Sequence, residues 1–576
     1  MPNLRFSLIV IFCFILSQVA AAEPALVYAV HPEPTVSLNG EWRFRYVPGA
    51  NAGSDESFHE LDFKGLESWK TIPVPSNWEM QGVDQPHYAT AVPAGLGLYR
   101  RSFRVPSDWR GQKIYLRFDG VLYGFEAWVN GKSIGSWESG YNAVTFDITD
   151  ALASDRGGEN SLAVRVTTRA IGWEFDCNDD WALSGIYRDV TLFAAPANHF
   201  DDFTTRTTVD KDGRARLDVG VQADVAGKGT VEGRLITSNG ATAGTFSVPL
   251  NEKGNGFAAV DLQRPQLWTA ETPSLYTIEL SLLADGKLQQ KISEKIGLRE
   301  VKIEEGVLKL NGRPVKLHGA DHHDLWPDVG RATDEVHMRR DLELMRAANI
   351  NFIRTSHYPP NPRFLELCDE LGFYVVDEVP FGFGDEHLKD PAYQSNLIVR
   401  ANATVRRDHN RPSVIIWSVG NENPNTPLTF ATGKRVKELD PTRPICYPQV
   451  GSYFAKSFEE LPAWVDIYAP HYPELKVVKD YAERLKRPII FTEFAHALGL
   501  ASDRIEAEWA VMEKSPRIAG GAVWMFQDQG LLRTRKEPLK DDESTLDVWL
   551  DRQHHFDTHG NEGMDGIVYS DRTPQV

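Results

Sequence analysis

From Val301 onward the chain changes period. Short apolar runs such as Val315-Lys-Leu-His-Gly319 and Phe373-Tyr-Val-Val376 alternate with helical patterns such as Glu335 to Ala348, whereas the preceding residues alternate one by one. Strand–helix alternation demands a parallel sheet, because the chain must cross over before the next strand can run in the same direction. Eight candidate strands begin near Val315, Asn351, Phe373, Val414, Ile445, Val465, Ile489 and Ala522. That number closes a (β/α)8 TIM barrel, in which reactive groups gather at the C-terminal ends of the strands. Residues 301–576 are therefore expected to form a TIM-barrel domain.

Two strand-rich regions come first. Residues 23–196 contain stretches such as Lys113-Ile-Tyr-Leu-Arg-Phe118 and Ser161-Leu-Ala-Val-Arg-Val166, with Asn130-Gly131 as a turn signal, and predict a jelly-roll β-sandwich. Residues 197–300 alternate again (Ala215-Arg-Leu-Asp-Val219, Tyr276-Thr-Ile-Glu-Leu280) and are enough for one immunoglobulin-like sandwich. Residues 1–22 read as an export signal, with Arg5, an apolar run from Phe6 to Leu16 and Ala20-Ala21-Ala22 before Glu23. That run is too short to span a bilayer and no later segment qualifies, so the expectation is a periplasmic or secreted chain without a membrane span. A net charge of -18 repels a phosphate backbone and excludes nucleic acid as a partner. Of the four cysteines Cys13 falls in the expected export signal, and Cys177, Cys368 and Cys446 remain, odd in number and scattered, which predicts no disulfide framework and buried thiols for Cys368 and Cys446.

Two of the predicted barrel strands end in carboxylates. Val414-Ile-Ile-Trp-Ser-Val419 runs into Gly420-Asn421-Glu422, and Ile489-Ile-Phe-Thr492 runs into Glu493. One glutamate at a strand end is most often just solvated or salt-bridged. A pair, with His, Asn and Trp around it, is what glycoside hydrolysis needs: one carboxyl protonated to help the leaving oxygen depart, the other ionised to face the anomeric carbon.

The surrounding residues resemble glycoside hydrolase family 2, and β-galactosidases most. Asn351-Phe-Ile-Arg354-Thr-Ser-His357-Tyr358-Pro359, continuing through Asp369 to Gly372-Phe-Tyr-Val-Val376, is similar to one family signature. Asp408-His-Asn-Arg-Pro-Ser-Val-Ile-Ile-Trp417-Ser-Val-Gly-Asn421-Glu422 is similar to a second, with His409 departing from the usual residue. Pro75-Ser-Asn-Trp78, Asp179-Asp-Trp181 through Arg188-Asp189, and Asp571-Arg-Thr-Pro574 extend the likeness over the whole mature chain. The resemblance implies Glu422 as acid/base, Glu493 as nucleophile and net retention. It also implies Asn421 on the sugar 2-hydroxyl, Tyr472 beside the nucleophile, His323, His357 and His496 around the sugar, and Trp524 as the platform beneath it. Asp179 would reach across from the first sandwich, and Arg354 would keep the nucleophile ionised or serve as a structural ion pair. His322 matches no functional position.

Departures from the family pattern set further expectations. Where β-galactosidases carry magnesium ligands, this chain has Val379-Pro-Phe-Gly382-Phe-Gly384; glycine offers no side-chain ligand, so magnesium is not expected, while Asp179 and Asp565 are candidates for sodium. Where β-glucuronidases carry Asn-x-Lys, it has Asn561-Glu562-Gly563. Without that cation a uronic acid would be poorly held, and galactose comes first as the sugar, with β-glucuronidase or β-mannosidase activity as the alternatives and a modified galactan also open. The chain stops at Pro574-Gln-Val576, where relatives continue into a last barrel helix, so the expectation is a barrel lacking that helix, with an exposed edge. The competing class is a truncated sugar-binding remnant without catalysis. Because related enzymes are often dimers or tetramers, a homo-oligomer is compatible with the resemblance.

Overall fold

The computed structural model describes residues 34–49, 57–153, 158–450, 461–496, 504–540 and 548–575; the expected export signal lies outside them. The first sandwich pairs a six-stranded with a four-stranded antiparallel sheet. Trp42, Trp78, Ile114, Leu116, Val164 and Leu192 fill the space between them. Asn130 (φ 51°) and Gly131 (φ 76°) join Gly124–Val129 to Lys132–Trp137, the two positive φ values that a tight hairpin requires. The middle sandwich packs a three-stranded sheet on a four-stranded one. In its strand Ala215–Asp224 alternate residues are buried, as a strand with one core face demands.

The eight expected parallel strands close into a barrel. In chain order they are Leu317–Asp321, Phe352–Arg354, Tyr374–Val379, Val414–Val419, Ile445–Val450, Ile467–His471, Ile489–Phe494 and Ile518–Val523. The eighth begins four residues before Ala522, because Gly520 and Gly521, which read as breakers in sequence, pair with Leu317 and His318. A Cβ at Gly520 would lie 2.1 Å from the Leu317 carbonyl oxygen, so the seam closes only with glycine there. This seam corrects the expectation of an exposed edge: the first and eighth strands pair directly. Among the described residues no helix follows the eighth strand; instead Leu531–Thr534, Val548–Trp549 and His554–Asp557 form a small antiparallel sheet.

Packing then separates the two ends of the barrel. Outward residues such as Val375, Trp417 and Phe491 meet a helix layer that includes Glu335–Ala347 and Pro362–Leu371 through Leu342, Met345, Phe364 and Leu367. Inward Phe352, Val376, Ile416, Ala469 and Ile490 join Leu308, Leu310 and the middle domain's Trp268 in one apolar cluster. Polar side chains are left to the C-terminal end, where burial forces them to pair. Cys177, Cys368 and Cys446 are free and buried. Among the described residues no helix is long and apolar enough to cross a membrane.

Candidate active site

Glu422 reaches the barrel mouth through a sharp turn. Gly420 has φ 67°, a Cβ there would lie 2.1 Å from Asn423 Oδ1, and Glu422 itself sits at φ 54°, a conformation that costs a non-glycine residue roughly 1–2 kcal/mol. Glu493 stands within the seventh strand. One carboxylate oxygen of each, together with a ring nitrogen of His471, lie within 4.8 Å of one another.

The surroundings of the two glutamates differ. Glu493 Oε1 accepts from Arg354 Nη1 at 2.9 Å, and Oε2 accepts from the Tyr472 hydroxyl. Burial and the neighbouring Glu422 push the Glu493 carboxyl up, while His471, Arg354 and Tyr472 pull it back. Glu422 is also raised by burial, opposed only by the charge of Arg354, and its side chain is 30% exposed. Arg354 and Tyr472 thus place two donors on Glu493, while Glu422 Oε1 lies 2.7 Å from His471 Nδ1.

Arg354, fully buried, organises the base of the site. Nε and Nη2 donate to the two oxygens of Glu378 at 2.9 and 3.0 Å, Nη1 also donates to Asp321 Oδ1 at 2.9 Å, and Nη2 donates to Asn421 Oδ1 at 2.7 Å. Ser418 Oγ donates to Glu378 Oε2 at 2.6 Å. One guanidinium cannot neutralise three carboxylates, and burial drives Asp321 well above the ordinary carboxylate range, which leaves it the proton-bearing member.

Three histidines surround Trp524. His357 stacks on it with centroids 5.3 Å apart, His323 meets it edge-on at 5.7 Å, and His496 lies at 6.5 Å. Burial lowers His323 to about 3 and His496 to about 4, and lowers His357 as well, so the rings are neutral. His323 Nε2, His496 Nδ1 and Asp565 Oδ1 are buried without a hydrogen-bond partner, which marks a place where a polar ligand would satisfy them. Asp565 Oδ2 accepts from Gln529 Nε2 at 3.0 Å, and burial pushes its carboxyl up to about 8.

The first sandwich brings two adjacent aspartates toward the barrel mouth. Asp179 is exposed on its loop, with its carbonyl accepting from the Tyr88 hydroxyl at 2.9 Å. Its neighbour Asp180, not singled out in sequence, is buried, pairs with Arg331 and lies 3.5 Å from His323 Nδ1. Burial, Asp180 and Glu562 raise Asp179, which also feels Glu422. At the place of the missing magnesium ligands, the Gly382 carbonyl accepts from Asn423 Nδ2 at 3.2 Å, and a Cβ there would lie 2.8 Å from Asn178 Oδ1. These residues offer no side-chain ligand and do not fit a magnesium ion.

Sequence reasoning missed Asp321, Glu378 and His471, although each stands at the C-terminal end of a barrel strand. The rule that picked out Glu422 and Glu493 would have found them. His322 packs on Phe364 and pairs with Asp341, a structural role. His409 Nε2–H donates to the Phe203 carbonyl oxygen at 2.9 Å across the domain seam.

A barrel with paired glutamates at its mouth, preceded by two sandwiches, defines a class, and the chain belongs to it: glycosyl hydrolases family 2. The family's TIM barrel domain matches residues 301–576, its sugar binding domain 35–196 and its middle domain 198–299. Among similar proteins are the β-galactosidases of Vibrio vulnificus (strain CMCP6), 33% identical over 93% of this chain and 54% of that protein, and of Pectobacterium atrosepticum, 34% identical over 93% and 54%. The chain therefore spans about half the length of these relatives. Similar solved structures include a Ruminococcus gnavus β-glucuronidase (TM-score 0.79, 22% identity, 96% of this chain and 98% of that one). A Bacteroides uniformis β-glucuronidase is also similar (TM-score 0.76, 24% identity, 94% and 68%); at these identities the likeness is one of fold.

Proposed function

We propose that the chain is a retaining exo-β-glycosidase that releases terminal β-D-galactose. The observation that carries this reading is the approach of Glu422 and Glu493 to within 4.8 Å. Retaining pairs stand about 5–5.5 Å apart, whereas inverting pairs stand roughly 6.5–9.5 Å apart to admit a water.

In the first step Glu422 protonates the departing oxygen while Glu493, ionised by Arg354 and Tyr472, attacks the anomeric carbon. In the second, ionised Glu422 takes a proton from water, which displaces Glu493 and returns the starting protonation states. Asn421 has its carbonyl held by Arg354, which directs its amide nitrogen toward the 2-hydroxyl. Trp524 forms the floor, and the unpartnered His323 and His496 nitrogens take hydroxyls. Asp179 and Asp565, which repel each other, are the residues that would hold a sodium ion, and Gly382 and Gly384 offer no side-chain ligand to magnesium.

Galactose is favoured over a uronic acid because Glu562 and Asp179 make the rim acidic and Asn561-Glu562-Gly563 supplies no cation. A panel of nitrophenyl β-galactoside, β-glucuronide and β-mannoside tests this. The galactoside should turn over at least about 100-fold faster, the discrimination expected when buried polar groups match one sugar. Preference for another sugar would refute galactose alone, and silence on all three from folded protein would refute catalysis. Glu422→Ala should lose about 10²–10⁴-fold on the galactoside, with azide restoring turnover and giving the β-galactosyl azide; an α-product would overturn retention.

A further inference from the structure

His471 ends the sixth barrel strand and is fully buried. Its Nδ1 lies 2.7 Å from Glu422 Oε1 and 3.4 Å from Glu493 Oε2, and its Nε2 lies 2.9 Å from Thr492 Oγ1. It is the one side chain among the described residues with a ring nitrogen between both glutamates. We propose that His471 is a positioning residue for Glu422, held by the two facing carboxylates in the tautomer whose Nδ1–H donates to Glu422 Oε1 in both protonation states, with the Thr492 hydroxyl donating to Nε2. The proposal rests on the reading of Glu422 as acid/base.

The argument is one of satisfying every atom. Burial lowers His471 to about 4, so the ring carries one proton near neutral pH. With that proton on Nε2, the Nδ1 lone pair would face two carboxylates, which is repulsive whenever either is ionised. With the proton on Nδ1, the N–H faces the glutamates, and the Thr492 hydroxyl donates to Nε2. Glu422 Oε1 is then occupied in every step, so Oε2 alone is left to carry the proton toward the departing oxygen. Fixing which oxygen delivers the proton is what an acid needs for an oriented transfer.

The consequence is a signed pH dependence. A donor to Oε1 favours the ionised form and lowers the pKa of Glu422. Removing it raises that pKa, and the alkaline limb of kcat/KM, where Glu422 loses its proton, moves to higher pH. The other charges facing Glu422 and His471 (Glu493, Arg354, Glu378, Tyr472, Asp179 and Asp385) are the same in parent and variants and cancel in the comparison.

Three variants decide it: His471→Leu removes the donor, His471→Asn keeps an N–H near Nδ1, and Thr492→Val removes the hydroxyl that donates to Nε2 while keeping the side-chain shape. Each is compared on dinitrophenyl and methyl β-galactosides across pH. His471→Leu is expected to raise the alkaline limb by about half to one pH unit. It should also cost about 10–100-fold on the methyl glycoside, which needs the acid, but less than about 3-fold on the dinitrophenyl one. His471→Asn should return the limb toward the parent, and Thr492→Val should shift it upward to a smaller extent. An equal loss on both substrates with an unmoved limb would overturn the proposal. If His471→Leu does not fold, an unmoved limb in Thr492→Val overturns it by itself. Glu422→Ala run alongside separates the two readings: if it shows no dependence on the leaving group and no azide rescue, the assignment of Glu422 fails first.

Discussion

Glu493→Ala is expected to abolish β-galactoside hydrolysis, by on the order of 10⁵-fold, while leaving the fold intact. The alanine removes the carboxylate to which the proposed mechanism assigns the glycosyl–enzyme bond. It also relieves a crowded site, since one acceptor is taken away from Arg354 and Asp321 and Glu378 stay paired to it. Thermal unfolding should therefore change little or rise. Turnover measured on purified, folded protein, with trapping of the parent by a 2-fluoro galactoside as control, checks this. Residual activity above about 1% would show that another residue is the nucleophile.

Arg354→Met is expected to be the most destabilising substitution in the barrel. It leaves Asp321, Glu378 and Glu493 buried around an uncharged side chain, and breaking such a buried arrangement costs about 3–5 kcal/mol. The sign with pH follows. In the variant each carboxyl, already raised by burial, loses its cation, so its folded-state pKa rises further above the unfolded value and the folded protein binds more protons. Stability is then greater below the ordinary carboxylate range and is lost as pH rises through the raised values. Denaturant titrations at pH 5 and pH 8 should show the larger deficit at pH 8. A deficit independent of pH would mean that packing, not charge, is what Arg354 supplies.

How much of this could be read from sequence varied with the physics involved. The eight strands were legible because buried parallel strands must be continuous apolar runs, and Val414–Val419 and Ile489–Phe494 are as plain as such runs become. The eighth was displaced because Gly520 and Gly521 look like a turn until one sees how close Leu317 lies. Glu422 and Glu493 were legible from their position at strand ends. Arg354 was left between two roles; in the structure its guanidinium is ion-paired with Asp321 and Glu378 and also contacts Glu493. His471 was overlooked beside Tyr472. Whether a residue at a strand end points into the barrel depends on local twist and on register shifts such as the one between Tyr468 and His471, which periodicity does not record. Asp180 was hidden for a similar reason: two adjacent aspartates on a loop give no sign of which one is buried.

The contacts around Arg331 carry a consequence for how such a chain can be divided. This barrel arginine reaches Asp180 of the first sandwich and the Tyr358 hydroxyl, and Tyr358 lies flat on Tyr141 of the same sandwich at 3.8 Å. Arg400 likewise spans from a barrel helix to Asp176, and Arg188 returns from the sandwich to Asp324. Each ion pair has one member on either side of the seam. Excision of the barrel would strand Arg331, Arg400 and Asp324 without their counter-charges. The sandwich thus completes the charge balance of the barrel's buried seam and is not a detachable appendage of it.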